Sequence, residues 1–186
     1  QQTLTGFKWI GKIDDLAFGY EEALGYSVAP HIARDKDGVT AILAVLEIAA
    51  ALKAEGRTLL DRLDEIYRTH GLHTTGQLSV RVDDLSIIAT AMRKLRSTPP
   101  SELGGLAVES VDDLADGYAG LPPTDGIRLG LEGATRIICR PSGTEPKLKC
   151  YIEVVREVDG SIDTAREASQ ATLAAIRTDL AAALGL

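Results

Sequence analysis

Two runs of alternating apolar residues, separated by a short polar loop, constrain the fold of this chain more than any other feature. Residues 135–139 (TRIIC) precede the loop, and residues 150–155 (CYIEVV) follow it. Alternation with a period of two is typical of strands that bury one face, and a short loop between two such strands predicts an antiparallel hairpin. The sequence therefore predicts a sheet that holds this loop in a fixed place.

The loop itself carries cationic and hydroxyl side chains at close spacing. Arg140 offers a planar fork of donors that matches two phosphate oxygens, and Ser142 and Thr144 each add a hydroxyl group. Gly143 is expected to adopt a positive φ, which would let backbone amides point towards an anion. These residue types predict a loop that binds a phosphate group.

Two lysines follow the loop, and the residues alone leave a second interpretation open. Lys147 and Lys149 have the same parity, so both project from one face if the strand begins near them. The alternative is an ordinary surface hairpin, in which Arg140 pairs with Glu145 and the hydroxyl groups bond only to their own backbone.

Three segments together resemble one enzyme family. Residues 138–149 (ICRPSGTEPKLK) resemble the phosphate-binding signature in the last domain of the α-D-phosphohexomutases, the family of phosphoglucomutases and phosphomannomutases. Residues 5–9 (TGFKW) resemble the TGxK segment of that family's third domain, whose lysine, here Lys8, contacts substrate. Residues 18–26 (FGYEEALGY) resemble its sugar-specificity loop, in which Glu21 matches the glutamate that binds ring hydroxyls. The segments follow the order of the family, so the resemblance covers nearly the whole chain.

The resemblance implies a substrate site without a catalytic residue in this chain. It implies phosphate binding by Arg140, Ser142, Gly143, Thr144 and Lys149, and sugar binding by Lys8, Glu21 and Glu22. Two departures concern the sugar. Ala23 stands where many members have a serine, and no histidine follows the loop as it often does in phosphomannomutases. In these respects the loop looks closer to the branch that includes phosphopentomutases.

The activity implied is the interconversion of hexose 1-phosphate and hexose 6-phosphate through a bisphosphate intermediate. The resemblance implies a four-domain chain, with a phosphoserine in the first domain and a DGDGDR magnesium loop in the second. It also implies an activator of the glucose 1,6-bisphosphate type. Neither the serine motif nor the magnesium loop occurs in this sequence. We therefore expect the C-terminal third of a longer mutase, inactive alone, with Mg²⁺ bound by a domain absent from this chain. The alternatives are a phosphopentomutase or, if the chain is complete, a non-catalytic phosphosugar-binding module.

Composition fits a cytoplasmic protein, and the resemblance implies a phosphosugar and the missing N-terminal domains as its partners. The 186 residues carry a formal net charge of −7, which argues against binding to nucleic acid or to acidic membranes. The longest apolar run, residues 39–52, is interrupted by Thr40 and Glu47 and predicts a buried helix rather than a membrane span. Cys139 and Cys150 are predicted to be free buried thiols rather than a disulfide.

The predicted fold class is α+β. A C-terminal antiparallel sheet covered by two helices, which the resemblance likens to the fold of the TATA-box-binding protein, follows a partial α/β third domain. The predicted domains are residues 1–71 and 77–186, with a hinge at 72–76. Helices are predicted at 37–55, 58–71, 84–96 and 162–184, and strands at 77–82, 107–111, 127–131, 135–139 and 148–156.

Other polar residues favour structural roles. Residues 35–38 (DKDG) predict a turn and a helix start rather than a metal site. His70 is placed near a helix C-terminus, where a cation is favourable, whereas His31 is close enough to the sugar loop for substrate contact to stay open.

Overall fold

The computed structural model describes residues 1–4, 6–21, 25–143 and 145–186. The chain divides into two compact units, residues 1–64 and residues 65–186. Three residues named above, Glu22, Ala23 and Thr144, lie outside the described residues.

The first unit is built from short elements around one long helix. It contains α1 (Phe7–Ile10), β1 (Gly19–Glu21), β2 (Gly25–Ser27) and α2 (Gly38–Ala54), and α3 (Leu59–His70) runs from it into the second unit. β1 and β2 pair antiparallel. A Cβ on Gly25 would lie 2.8 Å from the Phe7 ring, so glycine lets β2 approach α1 closely.

Side chains cap the starts of two helices in this region. The Asp37 carboxylate accepts hydrogen bonds from the amides of Val39 and Thr40 at the start of α2. At the start of α3, the Thr58 amide donates to Asp61 and the Asp61 amide donates to the Thr58 hydroxyl. This reciprocal pair is a capping box.

The prediction that residues 39–52 form a buried helix is correct as to the helix and wrong as to its burial. Leu52 is buried, but the other large apolar side chains of α2 are exposed, with Val39 at 69% and Ile42 at 62%. The remainder of the first unit consists of short elements, and these do not cover a helix of this length.

The second unit is an antiparallel sheet with both of its long helices on one face. Its elements are β3 (Leu72–Arg81), α4 (Leu85–Ser97), β4 (Glu102–Leu103), β5 (Leu106–Asp113), β6 (Ile127–Leu131), β7 (Arg136–Pro141), β8 (Lys147–Arg156) and α5 (Ile162–Leu184). The strand order is β3-β8-β7-β6-β5-β4, and every neighbouring pair is antiparallel. This arrangement confirms the predicted α+β class.

Alternating residues of the strands build the core between sheet and helices. Leu129 on β6, Ile137 on β7 and Ile176 of α5 have no exposed surface, and all three belong to the same buried cluster. The residues between them project from the opposite face, which we call the open face of the sheet.

The predicted hinge at residues 72–76 is instead the first half of β3. Leu72 and Thr74 are buried, and β3 pairs with β8 along its whole length, from Leu72 opposite Arg156 to Arg81 opposite Lys147. Gly76 is required by packing rather than by bending, because a Cβ there would lie 2.9 Å from Cδ2 of Leu173 on α5.

Gly76→Ala therefore tests packing against bending. We expect a loss of unfolding free energy of roughly 1–3 kcal/mol, because the added methyl group pushes into the buried Leu173 side chain. Denaturant unfolding measures it. The control is Gly160→Ala, since a Cβ at Gly160 meets no atom within 4 Å. A Gly76 variant as stable as that control would contradict the packing explanation.

Candidate functional site

The loop predicted to bind phosphate joins the neighbouring strands β7 and β8. Arg140 lies opposite Lys149 in the β7–β8 register, so the loop begins and ends on paired backbone. The Ser142 amide donates to the Lys147 carbonyl at 2.8 Å, which closes the loop. The sheet thus fixes both ends of the loop, as the sequence predicts.

Arg140 and Lys149 share the open face of the sheet. Their neighbours Cys139 and Cys150 have no exposed surface and point into the core, so alternation turns the two cations the other way. The Arg140 guanidinium carbon lies 5.8 Å from the centre of the Tyr151 ring, on the same face. Two cationic groups are therefore side by side next to the loop.

Neither cation has a carboxylate partner within 4.0 Å among the residues that the structure describes. The Arg140 Nε group is buried and has no hydrogen-bond partner there. Glu145, which the alternative interpretation pairs with Arg140, instead lies 2.8 Å from Lys147 Nζ. A guanidinium and an ammonium without a counter-ion are suited to bind an added anion.

The loop backbone differs from its prediction at one residue. Gly143 does not have a positive φ, so the expectation of a left-handed turn there is wrong. It is exposed, and a Cβ on it would meet no atom within 4 Å. What glycine leaves at this position is open space beside Ser142.

We call Arg140, Lys149 and the loop that joins their strands the clamp. The two cysteines next to Arg140 and Lys149 in sequence are free thiols, as predicted. Cys139 lies directly opposite Cys150 in the register, and both are fully buried. The hydrogen bond with Cys150 and burial raise the pKa of the Cys139 thiol well above its ordinary value. The Cys139 thiol therefore stays protonated, and both buried cysteine side chains serve as packing groups under the phosphate loop.

The residues predicted to bind the sugar lie in the first unit. Lys8 is exposed on α1, and its ammonium lies 5.6 Å from the centre of the Trp9 ring, which Lys12 approaches to 5.3 Å. Glu21 ends β1 with its side chain 16% exposed, and its carboxylate forms an ion pair with Lys36.

Lys36 is an ion-pair partner of Glu21 that the sequence analysis missed. It belongs to the segment 35–38, which was assigned to a turn and a helix start, and Asp37 does cap α2. The Asp37 amide also donates to the Tyr26 carbonyl at 2.9 Å, which ties this segment to β2 and places Lys36 beside Glu21. A lysine between two helix-start acids was the available signal.

Comparison with known proteins agrees with this arrangement in both units. Residues 1–70 match the family model described as phosphoglucomutase/phosphomannomutase, alpha/beta/alpha domain III, and residues 79–160 match that described as phosphoglucomutase/phosphomannomutase, C-terminal domain. The chain belongs to the phosphoglucomutase/phosphomannomutase family. The resemblance found in the sequence is thereby confirmed.

Curated relatives and a solved structure extend the comparison. A probable phosphomannomutase of Haemophilus influenzae is 45% identical over 154 residues, which cover 82% of this chain and 31% of the relative. A phosphoglucomutase of Staphylococcus aureus is 34% identical over 175 residues, with coverage of 83% and 31%. The crystal structure of pp63/parafusin, a phosphoglucomutase from Paramecium in its open form, has a TM-score of 0.66 at 22% identity and matches 98% of this chain and 34% of its own. The chain thus spans about a third of the length of these family members.

The Mg²⁺ that the resemblance implies finds no ligand set in the described ranges. Those residues contain no group of three or more histidine, cysteine, aspartate or glutamate side chains that could hold a metal ion. The Glu153 carboxylate on the open face is hydrogen-bonded to His73 Nδ1 and forms an ion pair with Arg136. Within the described ranges, no helix combines the length and the apolar character needed to span a membrane.

Proposed function

We propose that this chain supplies the phosphosugar-binding surfaces of a mutase that interconverts hexose 1-phosphate and hexose 6-phosphate through a bisphosphate intermediate. We place the protein in the cytoplasm, which is in keeping with its two free buried thiols. Other domains would contribute a Mg²⁺ ion and a phosphoserine. Its partners are then a phosphosugar and those domains.

One observation carries the proposal. Arg140 and Lys149 stand in register beside the closed loop, and no described carboxylate lies within 4.0 Å of either cationic group. A sugar phosphate offers a compact dianion with several oxygen acceptors, which a guanidinium fork, an ammonium, the Ser142 hydroxyl and loop amides can bind together. Thr144 joins this set through its place in the family signature.

The role of this clamp in turnover is positioning. It would hold whichever phosphate is not reacting, while Lys8, Glu21 and Glu22 hold the sugar in both of its orientations. Phosphoryl transfer depends chiefly on alignment and charge stabilisation, so residues that transfer no proton still contribute to the rate. The ion pair with Lys36 occupies one Glu21 oxygen, Oε1, which leaves Oε2 to accept from a sugar hydroxyl.

Glu21→Gln separates sugar binding from phosphate binding. We expect glucose 1-phosphate to bind roughly 3- to 10-fold more weakly, because the neutral amide loses charge-assisted hydrogen bonds to ring hydroxyls. Affinity for inorganic phosphate should not change, since that ligand has no ring. Calorimetric titration measures both ligands. An equal loss for both would contradict a role in sugar recognition.

The proposal as a whole is tested by titrating the chain with inorganic phosphate and with the 1-phosphates of glucose, mannose and ribose. Binding of every phosphate, with a preference among the sugars, supports the assignment, and a preference for ribose 1-phosphate would favour the pentose branch. The reaction is tested by assaying conversion of hexose 1-phosphate to hexose 6-phosphate with the protein encoded by the reading frame that contains this chain. Failure of that protein to convert either hexose phosphate would overturn the mutase assignment.

A further inference from the structure

A second cationic pair lies beside the clamp at the same end of the sheet. Arg81, the last residue of β3, is opposite Lys147, the first residue of β8. Lys147 and Lys149 alternate with buried residues of β8, so both project from the open face. The Val82 amide donates to the Pro146 carbonyl at 3.0 Å, which fixes the end of β3 against the clamp loop.

This end of the sheet therefore carries two cross-strand pairs of like charge. Arg140 is opposite Lys149, and Arg81 is opposite Lys147. Like charges directly opposite each other destabilise a sheet. Four cations at one sheet end are also unusual in a chain of net charge −7, so an anion is needed to offset their repulsion.

Glu145 supplies that anion for the outer pair. Its carboxylate lies 2.8 Å from Lys147 Nζ and 4.0 Å from Arg81 Nη1. The hydrogen bond from Lys147, with the further charges of Lys149 and Arg81, holds the pKa of Glu145 below its ordinary value. The inner pair of Arg140 and Lys149 has no carboxylate within 4.0 Å among the described residues. The outer pair therefore has a counter-ion at ion-pair distance, and the inner pair does not.

We propose that Arg81 and Lys147 form an outer subsite of the clamp for the phosphate monoester of a sugar phosphate, and that Glu145 competes with this phosphate for both cations. The inference rests on the proposed function of the clamp. Arg81 is the more accessible cation, with 67% of its side chain exposed against 25% for Lys147. An arriving phosphate meets Arg81 from solvent. As it takes over Arg81 and Lys147 it replaces the charge of Glu145, so that the outer pair keeps a counter-ion in both states.

Titration with inorganic phosphate tests the subsite. The readout is the shift of the NMR amide signals of Gly143 and Lys149, measured at low and at high ionic strength. We expect Glu145→Gln to bind phosphate about 3-fold more tightly at low salt, because the competing charge is removed. Arg81→Gln should bind about 3-fold more weakly for the opposite reason. Both differences should shrink at high salt, since screening weakens interactions between exposed charges.

Matched controls make the same charge changes on the helix side of the unit. Glu167→Gln and Arg177→Gln alter exposed residues of α5, away from the open face. If Glu145→Gln and Arg81→Gln behave like these controls while Arg140→Ala loses binding, the outer subsite is overturned and the clamp stands. Weaker binding by a Glu145→Gln variant with an unchanged circular dichroism spectrum would overturn the competitor role. If phosphate shifts no amide of the unaltered chain, both the clamp and its extension are overturned.

Discussion

Arg140→Ala is expected to weaken phosphate binding roughly 10- to 100-fold, which corresponds to about 1.5–3 kcal/mol. The guanidinium has no carboxylate partner in the described residues, and its Nε group is buried without a hydrogen bond. Its donors are therefore available to an incoming anion at no cost in broken ion pairs. Isothermal titration with inorganic phosphate and with glucose 1-phosphate measures the loss, which should be similar for both ligands.

The matched control for this variant lies on the same strand. Arg136 also projects from the open face of β7, but Glu153 binds its guanidinium. Arg136→Ala should therefore leave phosphate affinity unchanged. Arg140→Lys should fall between the unaltered chain and Arg140→Ala, because it keeps the charge and loses the planar fork. Equal affinities for Arg140→Ala and the unaltered chain would contradict the phosphate clamp.

The hairpin of β7 and β8 was predictable from the sequence because its signals are local. Alternation in residues 135–139 and 148–156 marks two strands that bury one face, and the short polar loop leaves an antiparallel pair as the simplest connection. The register follows from that alternation, so the placement of Arg140 and Lys149 on one face also follows from sequence. The helix starts at Asp37 and Thr58 were predictable for the same reason.

The errors concern features that depend on distant parts of the chain. Gly76 resembles a flexible position when only its neighbours are considered, yet the atoms that require glycine belong to Leu173. Local pattern cannot show that contact. The burial of α2 was also misjudged, because an apolar run predicts a helix but does not show which surfaces cover it.

The choice of ion-pair partners was equally beyond the sequence. Glu145 could pair with Arg140, Lys147 or Arg81 by spacing alone, and the register of three strands decides in favour of the last two. Glu21 finds Lys36 because a hydrogen bond between Asp37 and Tyr26 folds the helix start back onto the hairpin. These pairings matter for function because they determine which cations remain available to a phosphate.

The largest effect on stability is expected from Ile176→Ala, at about 2–5 kcal/mol of unfolding free energy. Ile176 has no exposed surface and belongs to the buried cluster between the sheet and its helices. A Cβ on Gly104 would lie 2.6 Å from Ile176 Cγ1, so the backbone beside β4 is already packed closely against this side chain. Removing its outer carbons leaves a cavity that rigid backbone on one side cannot fill, and denaturant unfolding measures the cost.

Ile87→Ala provides the same truncation on α4, where 43% of the residue is exposed, and it should change stability by less than about 1 kcal/mol. The pair also tests how the core supports the clamp. Because α5 packs against β8, the strand that carries Lys149, Ile176→Ala should lower the temperature at which phosphate binding is lost. Affinity at low temperature should stay close to that of the unaltered chain. Arg140→Ala should instead weaken phosphate binding at low temperature and leave the thermal stability of the chain nearly unchanged. The clamp loop is closed by its own strand pairing, so its geometry should depend little on packing in the core. A loss of binding in fully folded Ile176→Ala as large as that in Arg140→Ala would contradict this independence.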